Sequence, residues 1–148
     1  MSRVPELIDA LVSRFGTDPA LTEAGVADGP ELTEADRDDW ILVGFDGDPN
    51  GDGQAAVTEE DWAGLGVSRE EDIRLPVTLL ARRGDTDVKA ARARVYELLV
   101  AVGGVLHADP TAGLPGLQCS IGGTALYQEQ TDVGMQARLV LTLVCRTI

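Results

Sequence analysis

The chain has 148 residues, of which 44% are hydrophobic and 25% are charged, and these values are ordinary for one globular domain covering residues 1–148. No apolar run approaches the ~20 residues that a transmembrane helix needs, which excludes a helical membrane protein. Residues 1–16 carry Arg3, Glu6, Asp9 and Arg14, which excludes a signal-peptide core, so we expect assembly in a cytoplasm.

The formal net charge is −13, and it lies in one part of the chain. Residues 18–61 contain 14 acidic residues and a single basic residue, Arg37, whereas acidic and basic residues balance in the remainder. Binding of nucleic acid relies on Lys and Arg contacts to phosphates, so this acidic, loop-rich segment argues against it. The simplest interpretation is a solvated face that keeps the protein soluble.

Four elements are predicted before residue 46. In chain order they are an amphipathic helix at residues 4–15, a short strand at 24–27, an acidic loop at 31–39 and a buried apolar strand at 40–45. After a Gly- and Asp-rich loop, residues 55–65 are ambiguous. A short helix from Thr58 would place Glu59, Glu60 and Asp61 in its first turn, where acidic side chains favour the helix dipole.

Two elements and a loop are predicted next. They are an alternating strand at residues 71–82, an amphipathic helix at 85–102 and a loop rich in Pro and Gly at 105–116. Pro76 lies inside the strand, which favours an edge position or a bulge. Asp85 or Thr86 is the expected N-cap of the helix, and Gly103 and Gly104 are expected to end it.

The end of the chain predicts a long antiparallel hairpin. Its strands are residues 117–130 and the residues from Met135 onward, its turn is 131–134, and Gly122 and Gly123 indicate a bulge. The second strand alternates strictly. Its buried face is expected to carry Met135, Ala137, Leu139, Leu141, Leu143 and Cys145, and its other face Gln136, Arg138, Val140, Thr142, Val144 and Arg146. The predicted fold class is α+β, with a single, mainly antiparallel β-sheet, two helices packed on one face and this C-terminal hairpin.

Two cysteines lie nearly opposite each other if the hairpin turns near Asp132. A disulfide between Cys119 and Cys145 is conceivable, but a cytoplasm disfavours one, so we expect two small buried hydrophobic side chains. The single histidine, His107, leaves no Cys/His spacing typical of a metal site, and we expect it at the surface.

Catalytic arrangements have no support in the sequence. The serines at positions 2, 13, 68 and 120 lie in no nucleophile motif, and His107 is the single histidine that could serve as a general base. The glycine-rich stretches lack the lysine of a phosphate loop. Trp40 and Trp62 have apolar neighbours, which favours core or interface anchors over stacking platforms. We expect neither enzymatic activity nor a cofactor.

The Gly- and Asp-rich loop is the sharpest look-alike of a binding motif. Asp46, Asp48, Asn50 and Asp52 match alternate ligand positions of the first half of a calcium loop, and Gly51 stands at its sixth position. Val57 occupies position 12, where a bidentate Glu is needed. We therefore expect an ordinary polar loop and no metal site, and a small calcium-binding module is kept as an alternative.

The order of these elements resembles the tail terminator (tail completion) proteins of long-tailed, siphovirus-type bacteriophages, especially those that infect actinobacteria. The stretches that carry the resemblance are VPELIDAL at 4–11, WILVG at 40–44, IRLPVTLLAR at 73–82, RARVYELL at 92–99 and ARLVLTLVC at 137–145. They cover nearly the whole chain. The likeness is one of pattern and element order, and residues 46–53 have no counterpart in it.

The resemblance implies a structural protein of the virion. Such proteins form a six-membered ring on the head-proximal end of the tail tube, stop tube polymerisation and present a surface to the head-side neck proteins. The implied partners are further copies of the chain, the tail tube protein and the connector or neck proteins, while DNA passes through the ring without being bound. A head–tail connector or neck (head-completion) subunit of related fold is the nearest alternative.

Three places are predicted to meet neighbouring subunits, and an ordinary solvent face with ordinary loops is the alternative. They are the polar face of the last strand, the hairpin turn and the Pro- and Gly-rich loop. The named residues are Arg138, Val140, Thr142, Val144, Arg146, Asp132, Pro110, Leu114 and Pro115. If the acidic segment faces the channel of a ring, it would repel DNA and let it slide.

Overall fold

The computed structural model describes residues 2–30, 37–62, 69–84, 86–132 and 134–147. Their helices and strands are α1 (Val4–Thr17), β1 (Gly25–Asp28), β2 (Asp39–Val43), β3 (Val57–Trp62), β4 (Arg69–Arg82), α2 (Val88–Ala108), β5 (Leu117–Thr131) and β6 (Gly134–Thr147). A short 3-10 turn at Pro19–Leu21 follows α1. Within these ranges neither helix has the length and apolar character needed to cross a membrane.

The six strands form one mixed sheet in the order β1-β2-β4-β6-β5, and β3 pairs with the N-terminal half of β4. The pair β1–β2 is parallel, and the other four pairs are antiparallel. The predicted α+β class with a C-terminal hairpin is therefore confirmed. The parallel pair was not anticipated, because a strand of four residues carries no signal of its direction.

Both helices pack on the same face of the sheet and enclose the main core. The side of β6 that alternation marks as apolar lies in this core, and Leu139, Leu141 and Leu143 are fully buried there. The helices contribute their own buried stripes, which are Leu7, Leu11 and Phe15 from α1 and Ala91, Val95, Leu98, Val102 and Leu106 from α2. Periodicity thus predicted the core faces of these elements correctly.

A second, smaller apolar cluster lies on the opposite face of the sheet, which we call the outer face. Trp40 packs there against Ala27, Leu42 and Leu80, and its ring N–H donates to the Arg37 carbonyl at 3.0 Å. A Cβ at Gly25 would lie 2.6 Å from the Trp40 ring, so glycine is required beside it. The prediction of Trp40 as a core anchor is confirmed, whereas the Trp62 side chain lies outside the described residues.

The short helix predicted from Thr58 is wrong, because this segment is strand β3. Its residues pair in antiparallel register with β4, from Val57 opposite Arg74 to Trp62 opposite Arg69. The free energy that acidic residues gain from a helix dipole is smaller than the free energy gained from a row of backbone hydrogen bonds to β4. The neighbouring strand therefore outweighs the local preference.

Strand β4 is an interior strand, so the predicted edge position of Pro76 is wrong. Pro76 lies where the pairing of β4 changes partner, between Val77, which is opposite β2, and Arg74, which is opposite β3. Its carbonyl accepts from the Gly44 N–H at 2.8 Å. Since the N and C=O of one strand residue point to the same side, the missing N–H faces this interruption, and no ladder bond is lost.

Helix α2 begins and ends later than the sequence indicated. Asp87 is its N-cap and accepts from the Ala90 N–H at 3.1 Å, whereas Asp85 lies outside the described residues. The helix continues through Gly103 and Gly104 to Ala108. Burial of Leu106 against the core compensates for a cost of about 1 kcal/mol for each glycine. The expected loop at 105–116 is therefore shorter, and the exposed His107 lies in the last helical turn.

A buried carboxylate joins β2, the end of β4 and α2. Asp39 is 6% exposed, and it accepts from Arg83 at 2.6 and 3.0 Å and from Arg94 at 2.7 Å. Burial raises the pKa of Asp39, but the hydrogen bonds from the two arginines outweigh burial and hold this pKa below its ordinary value. This charge cluster, Asp39 with Arg83 and Arg94, anchors the start of the sheet's second strand to the helix layer.

Candidate functional site

The hairpin of β5 and β6 is the longest paired unit of the described chain. Its register runs from Leu117 opposite Thr147 to Thr131 opposite Gly134, with a shift between Ile121 and Gly123 that confirms the predicted bulge. At about 3.4 Å per residue it is about 45–50 Å long. It ends the sheet, because β5 is last in the strand order and no described strand pairs with its far side.

Half of the backbone groups of β5 point away from the hairpin. Met135 exchanges backbone bonds with Arg83 and Gly84, beyond the end of β4, so its N–H and C=O face away from β5. The direction of the backbone N–H and C=O groups alternates along a strand, so those of every second residue of β6 from Met135 to Leu141 also point away from β5. The β5 residues opposite these positions are therefore not hydrogen-bonded to β6. These outward-pointing residues beyond the bulge are Thr124, Leu126, Gln128 and Gln130.

The free edge of β5 carries a bulge at Gly122 but lacks proline, and it lacks charged side chains over most of its length. Residues 117–128 contain no charged side chain, and β5 contains no proline. Its beginning is covered, where the Cys119 N–H donates to the Pro110 carbonyl at 2.7 Å. Tyr127 is 45% exposed beyond that point. A long, neutral, unpaired edge is a template for another strand.

Arg138, a predicted interface residue, is almost fully engaged inside the subunit. It is 8% exposed, and its Nε and Nη2 donate to Glu129 Oε1 at 3.1 and 3.0 Å. Its Nη1 donates to the Asp46 carbonyl at 2.6 Å, and its guanidinium carbon lies 4.1 Å from the centre of the Tyr127 ring. It therefore joins the hairpin to the loop after β2.

That loop lies on the outer face and is held at two points. Besides the Arg138 contact, Thr78 Oγ1 donates to the Phe45 carbonyl at 2.6 Å. A Cβ at Gly47 would lie 2.6 Å from Arg138 Cδ and 3.0 Å from Thr78 Cγ2, and its φ is +79°, so glycine is required there. The loop leaves a groove against the hairpin, which Val140 and Thr142 line together with Asp46 and Arg138.

Arg146, at the other end of the predicted face, forms an exposed ion pair across the sheet. Its Nε and Nη2 donate to Asp72 at 2.8 and 3.3 Å, and this hydrogen bond lowers the pKa of Asp72. Val144 is half-buried beside it, and the two residues line a groove with Val57 and Arg74. Water screens such a pair, so it contributes little to stability.

The remaining predicted interface residues lie at the two ends of the hairpin. Asp132 is exposed at the turn, and Val133 lies outside the described residues. At the opposite end Pro110 is half-buried, Leu114 packs against the main core, and the Pro115 carbonyl accepts from Arg3 at 2.6 Å. The structure therefore brings five predicted residues, Arg138, Val140, Thr142, Val144 and Arg146, into one line on β6 and leaves the others apart.

The acidic side chains of the calcium-loop look-alike bond to their own backbone. Asp46, Asp48 and Asp52 each accept from the N–H two residues further on, at 2.9, 2.9 and 3.1 Å. These are turns closed by side-chain acceptors. Among the described residues, no group of three or more His, Cys, Asp or Glu side chains could hold a metal ion. Asp46, Asp48 and Asp52 therefore form no such group, and the Asn50 backbone N–H donates to Asp48.

The sequence interpretation did not single out β5 as the exposed edge. It treated the first hairpin strand as the equal of the second, although Ser120, Thr124, Ala125 and Gln128 are all exposed. The available signal was the absence of charge over residues 117–128, which is unusual in a protein with a net charge of −13. Strand order decides which hairpin strand is the edge, and one sequence does not give that order.

No protein-family model matches the chain, and no curated protein matches it in sequence. Its function is therefore inferred from the geometry of the described residues and from the likeness in element order.

Proposed function

We propose that the protein is a structural subunit of a bacteriophage virion. In this proposal it assembles into a ring, most simply a hexamer, on the head-proximal end of the tail tube. The ring ends tube polymerisation, joins the tail to the head-side neck proteins and lets DNA pass without binding it. The observation that carries the proposal is the long edge of β5, which no described strand pairs and which carries no charged side chain over residues 117–128.

A strand edge of this kind favours association with another copy of the chain. Its outward N–H and C=O groups between Thr124 and Gln130 are not paired with β6. When another strand pairs with them, each group that leaves water gains a backbone hydrogen bond, so no buried polar group is left unsatisfied. Substrate chemistry has no comparable support in the sequence, which lacks any arrangement of nucleophile and base. We accordingly assign the protein to assembly and not to catalysis.

Ring formation requires β5 to meet a different surface of the next copy. Two β5 edges facing each other give a two-fold dimer, which closes without a channel. The described sheet ends at β1 on its other side, and β3 adds a further short edge beside β4. Contact of β5 with either of these edges is head-to-tail, and repeated head-to-tail contacts close into a ring.

The acidic segment supports the same arrangement if it lies along the channel. Residues 18–61 hold 14 acidic residues. Strands β1 and β2 of this segment lie far from β5 in strand order, whereas Asp46 and Asp48 of the loop after β2 line a groove against the hairpin. Carboxylates facing a channel repel the phosphates of DNA, so DNA would slide through without sticking. A position on the outside of the ring would leave the segment a solubilising role only.

The proposal is tested by measuring the mass of the purified full-length protein over a range of concentrations and imaging it by electron microscopy. We expect closed rings of one stoichiometry, either alone or after addition of the cognate tail tube protein, whose polymerisation they should stop at a defined length. Particles that remain monomers under all these conditions contradict the proposal. A two-fold dimer without rings contradicts it as well.

A matched pair of variants ties assembly to the edge. Thr124→Pro removes an outward N–H without removing a β6 ladder bond, whereas Thr124→Ala shortens the side chain and keeps that N–H. We expect Thr124→Ala to form rings and Thr124→Pro to stay monomeric with an unchanged circular dichroism spectrum. Rings formed equally well by a folded Thr124→Pro would remove the β5 edge from the interface.

A further inference from the structure

We propose that Cys119 and Cys145 are an oxidisable pair, and that a small-molecule disulfide converts them into a cross-strand disulfide within the folded subunit. Both thiols are free in the structure. The inference concerns a modification site in the core of one subunit, and it holds whether or not the subunit forms a ring. It also accommodates the reduced state expected in a cytoplasm, because closure needs an oxidant that a reducing compartment does not supply.

The register of the hairpin places the two cysteines directly opposite each other. Cys119 on β5 is the partner of Cys145 on β6, and both side chains face the main core. Register alone defines the pair, because the bulge at Gly122 comes after Cys119 and leaves this part of the ladder regular.

The kind of pairing matters as well as the register. The Cys119 N–H donates to the Pro110 carbonyl and therefore points away from β6, which makes the cysteines a non-hydrogen-bonded pair. In such pairs the Cα atoms are about 4.5 Å apart and the side chains are closest. Disulfides span Cα separations of about 4.4–6.8 Å, so the bond can form without moving either strand.

One of the two cysteines lies beside a groove that opens at the surface. Cys119 is 5% exposed and lines a groove between β5 and the end of α2, together with Gly103, His107 and Pro110. Gly103 has no side chain to fill this groove, and a Cβ there would meet only Ile121 Cδ1 at 4.0 Å. Cys145 is fully buried behind it. The geometry therefore assigns Cys119 as the attacking thiol and Cys145 as the resolving thiol.

The electrostatics agree with this assignment. The hydrogen bond from the Cys145 thiol lowers the pKa of Cys119, and the same contact together with burial raises the pKa of Cys145. The thiolate is the nucleophile in disulfide exchange. The contact between the two thiols therefore favours the thiolate at one sulfur of the pair, and the groove beside Cys119 decides which thiol attacks.

The reaction is an exchange that conserves atoms and electrons. The Cys119 thiolate attacks one sulfur of an oxidised glutathione molecule, forms a mixed disulfide and expels one glutathione thiolate. The Cys145 thiol then loses its proton and attacks the Cys119 sulfur, which expels the second glutathione as a thiolate. The two protons lost by the protein thiols end on the two glutathione thiolates. Two protein thiols are oxidised, and one small disulfide is reduced to two thiols.

Intact-mass spectrometry of the folded, fully reduced protein incubated with oxidised glutathione tests the inference. We expect a loss of about 2 Da, no retained glutathione, and no thiol left for alkylation after denaturation. Closing a loop of about 27 residues should also raise the Tm by roughly 5–10 °C, and dithiothreitol should reverse the rise. The Tm of the double variant C119S/C145S should not respond to the oxidant.

Two single variants test the order of attack. C145S should accumulate a glutathione adduct, because its Cys119 can attack but nothing resolves the mixed disulfide. C119S should stay unmodified over the same time, because Cys145 is buried. Thiols that stay free in the folded wild type while the denatured chain oxidises would overturn the proposal. So would a mixed disulfide that persists in the wild type, or dimers linked through cysteine.

Discussion

Replacing Asp39 with asparagine tests whether one buried carboxylate holds the second strand to the helix layer. The side chain of Asp39 accepts three charge-assisted hydrogen bonds, two from Arg83 and one from Arg94. Asparagine keeps the size but loses the charge, and it turns one acceptor into a donor that faces an arginine. Arg83 then loses its carboxylate partner in a partly buried site, whereas Arg94 keeps its ion pair with Glu97 at 3.0 Å.

The expected loss follows from the burial of the partners. A hydrogen bond to a charged group contributes about 1.5–3 kcal/mol, and removal of one member of a fully buried pair costs about 3–5 kcal/mol. The side chains of Arg83 and Arg94 are 30% and 20% exposed, so water replaces part of what they lose. We therefore expect Asp39→Asn to lower the free energy of unfolding by about 2–4 kcal/mol, which corresponds to a fall in Tm of about 5–15 °C.

Urea denaturation at pH 7 measures this difference, with Asp38→Asn as the matched control. Asp38 is the exposed neighbour of Asp39, and its loss should change stability by less than about 0.5 kcal/mol. The pKa of Asp39 is lowered in the folded state, so its contribution is complete above the ordinary carboxyl pKa and is lost as pH falls through the folded pKa. The gap between wild type and Asp39→Asn should be constant from pH 7 to 5 and shrink below about pH 4. Equal stability of the two variants, or a gap that widens in acid, would refute the reasoning.

Three further outcomes follow from the same contacts. Arg138→Ala should lower the free energy of unfolding by about 2–3 kcal/mol in urea, whereas Arg146→Ala, which loses only an exposed pair, should lower it by much less. A reversed order would contradict the burial difference. Gly104→Ala should raise it by about 0.5–1 kcal/mol, because a Cβ there meets nothing within 4 Å in a helix interior; a loss of stability would indicate a contact at that position. Millimolar calcium should leave the Tm unchanged, since the loop at 46–53 uses its carboxylates for its own turns; saturable stabilisation would restore the calcium module.

The faces of α1 and β6 were predictable because burial on one side leaves a regular pattern in the sequence. In β6 every second residue from Ala137 to Cys145 is fully buried, and the period of two follows directly from strand geometry. Gly122 could likewise be read as a bulge, since a glycine pair interrupts that alternation. These features depend only on neighbours along the chain.

Other features depend on contacts between distant segments, and one sequence does not show them. Strand β3 is mostly exposed and acidic, and it is a strand because β4 lies beside it. Helix α2 passes Gly103 because Leu106 has a core to enter. The charge cluster of Asp39, Arg83 and Arg94 joins positions 44 and 55 residues apart, and no local pattern links them.

One part of the candidate site could be predicted from the sequence, and another part could not. The polar face of β6 was identified from alternation, but the structure shows that Arg138 is engaged by Glu129 and Asp46 within the same subunit. The free edge was missed, because strand order places β5 at the end of the sheet and β6 inside it. Fold class could be predicted from periodicity, whereas the exposed edge required the topology.

Amide hydrogen exchange resolved to single residues measures most directly whether a second copy pairs with the free edge of β5. Exchange should be compared between the assembled protein and a dilute, dissociated sample. We expect the N–H groups of Thr124, Leu126 and Gln128 to become strongly protected on assembly, while that of Ala125, which already faces β6, changes little. An assembled particle in which the three outward N–H groups exchange as fast as in the monomer would contradict this pairing.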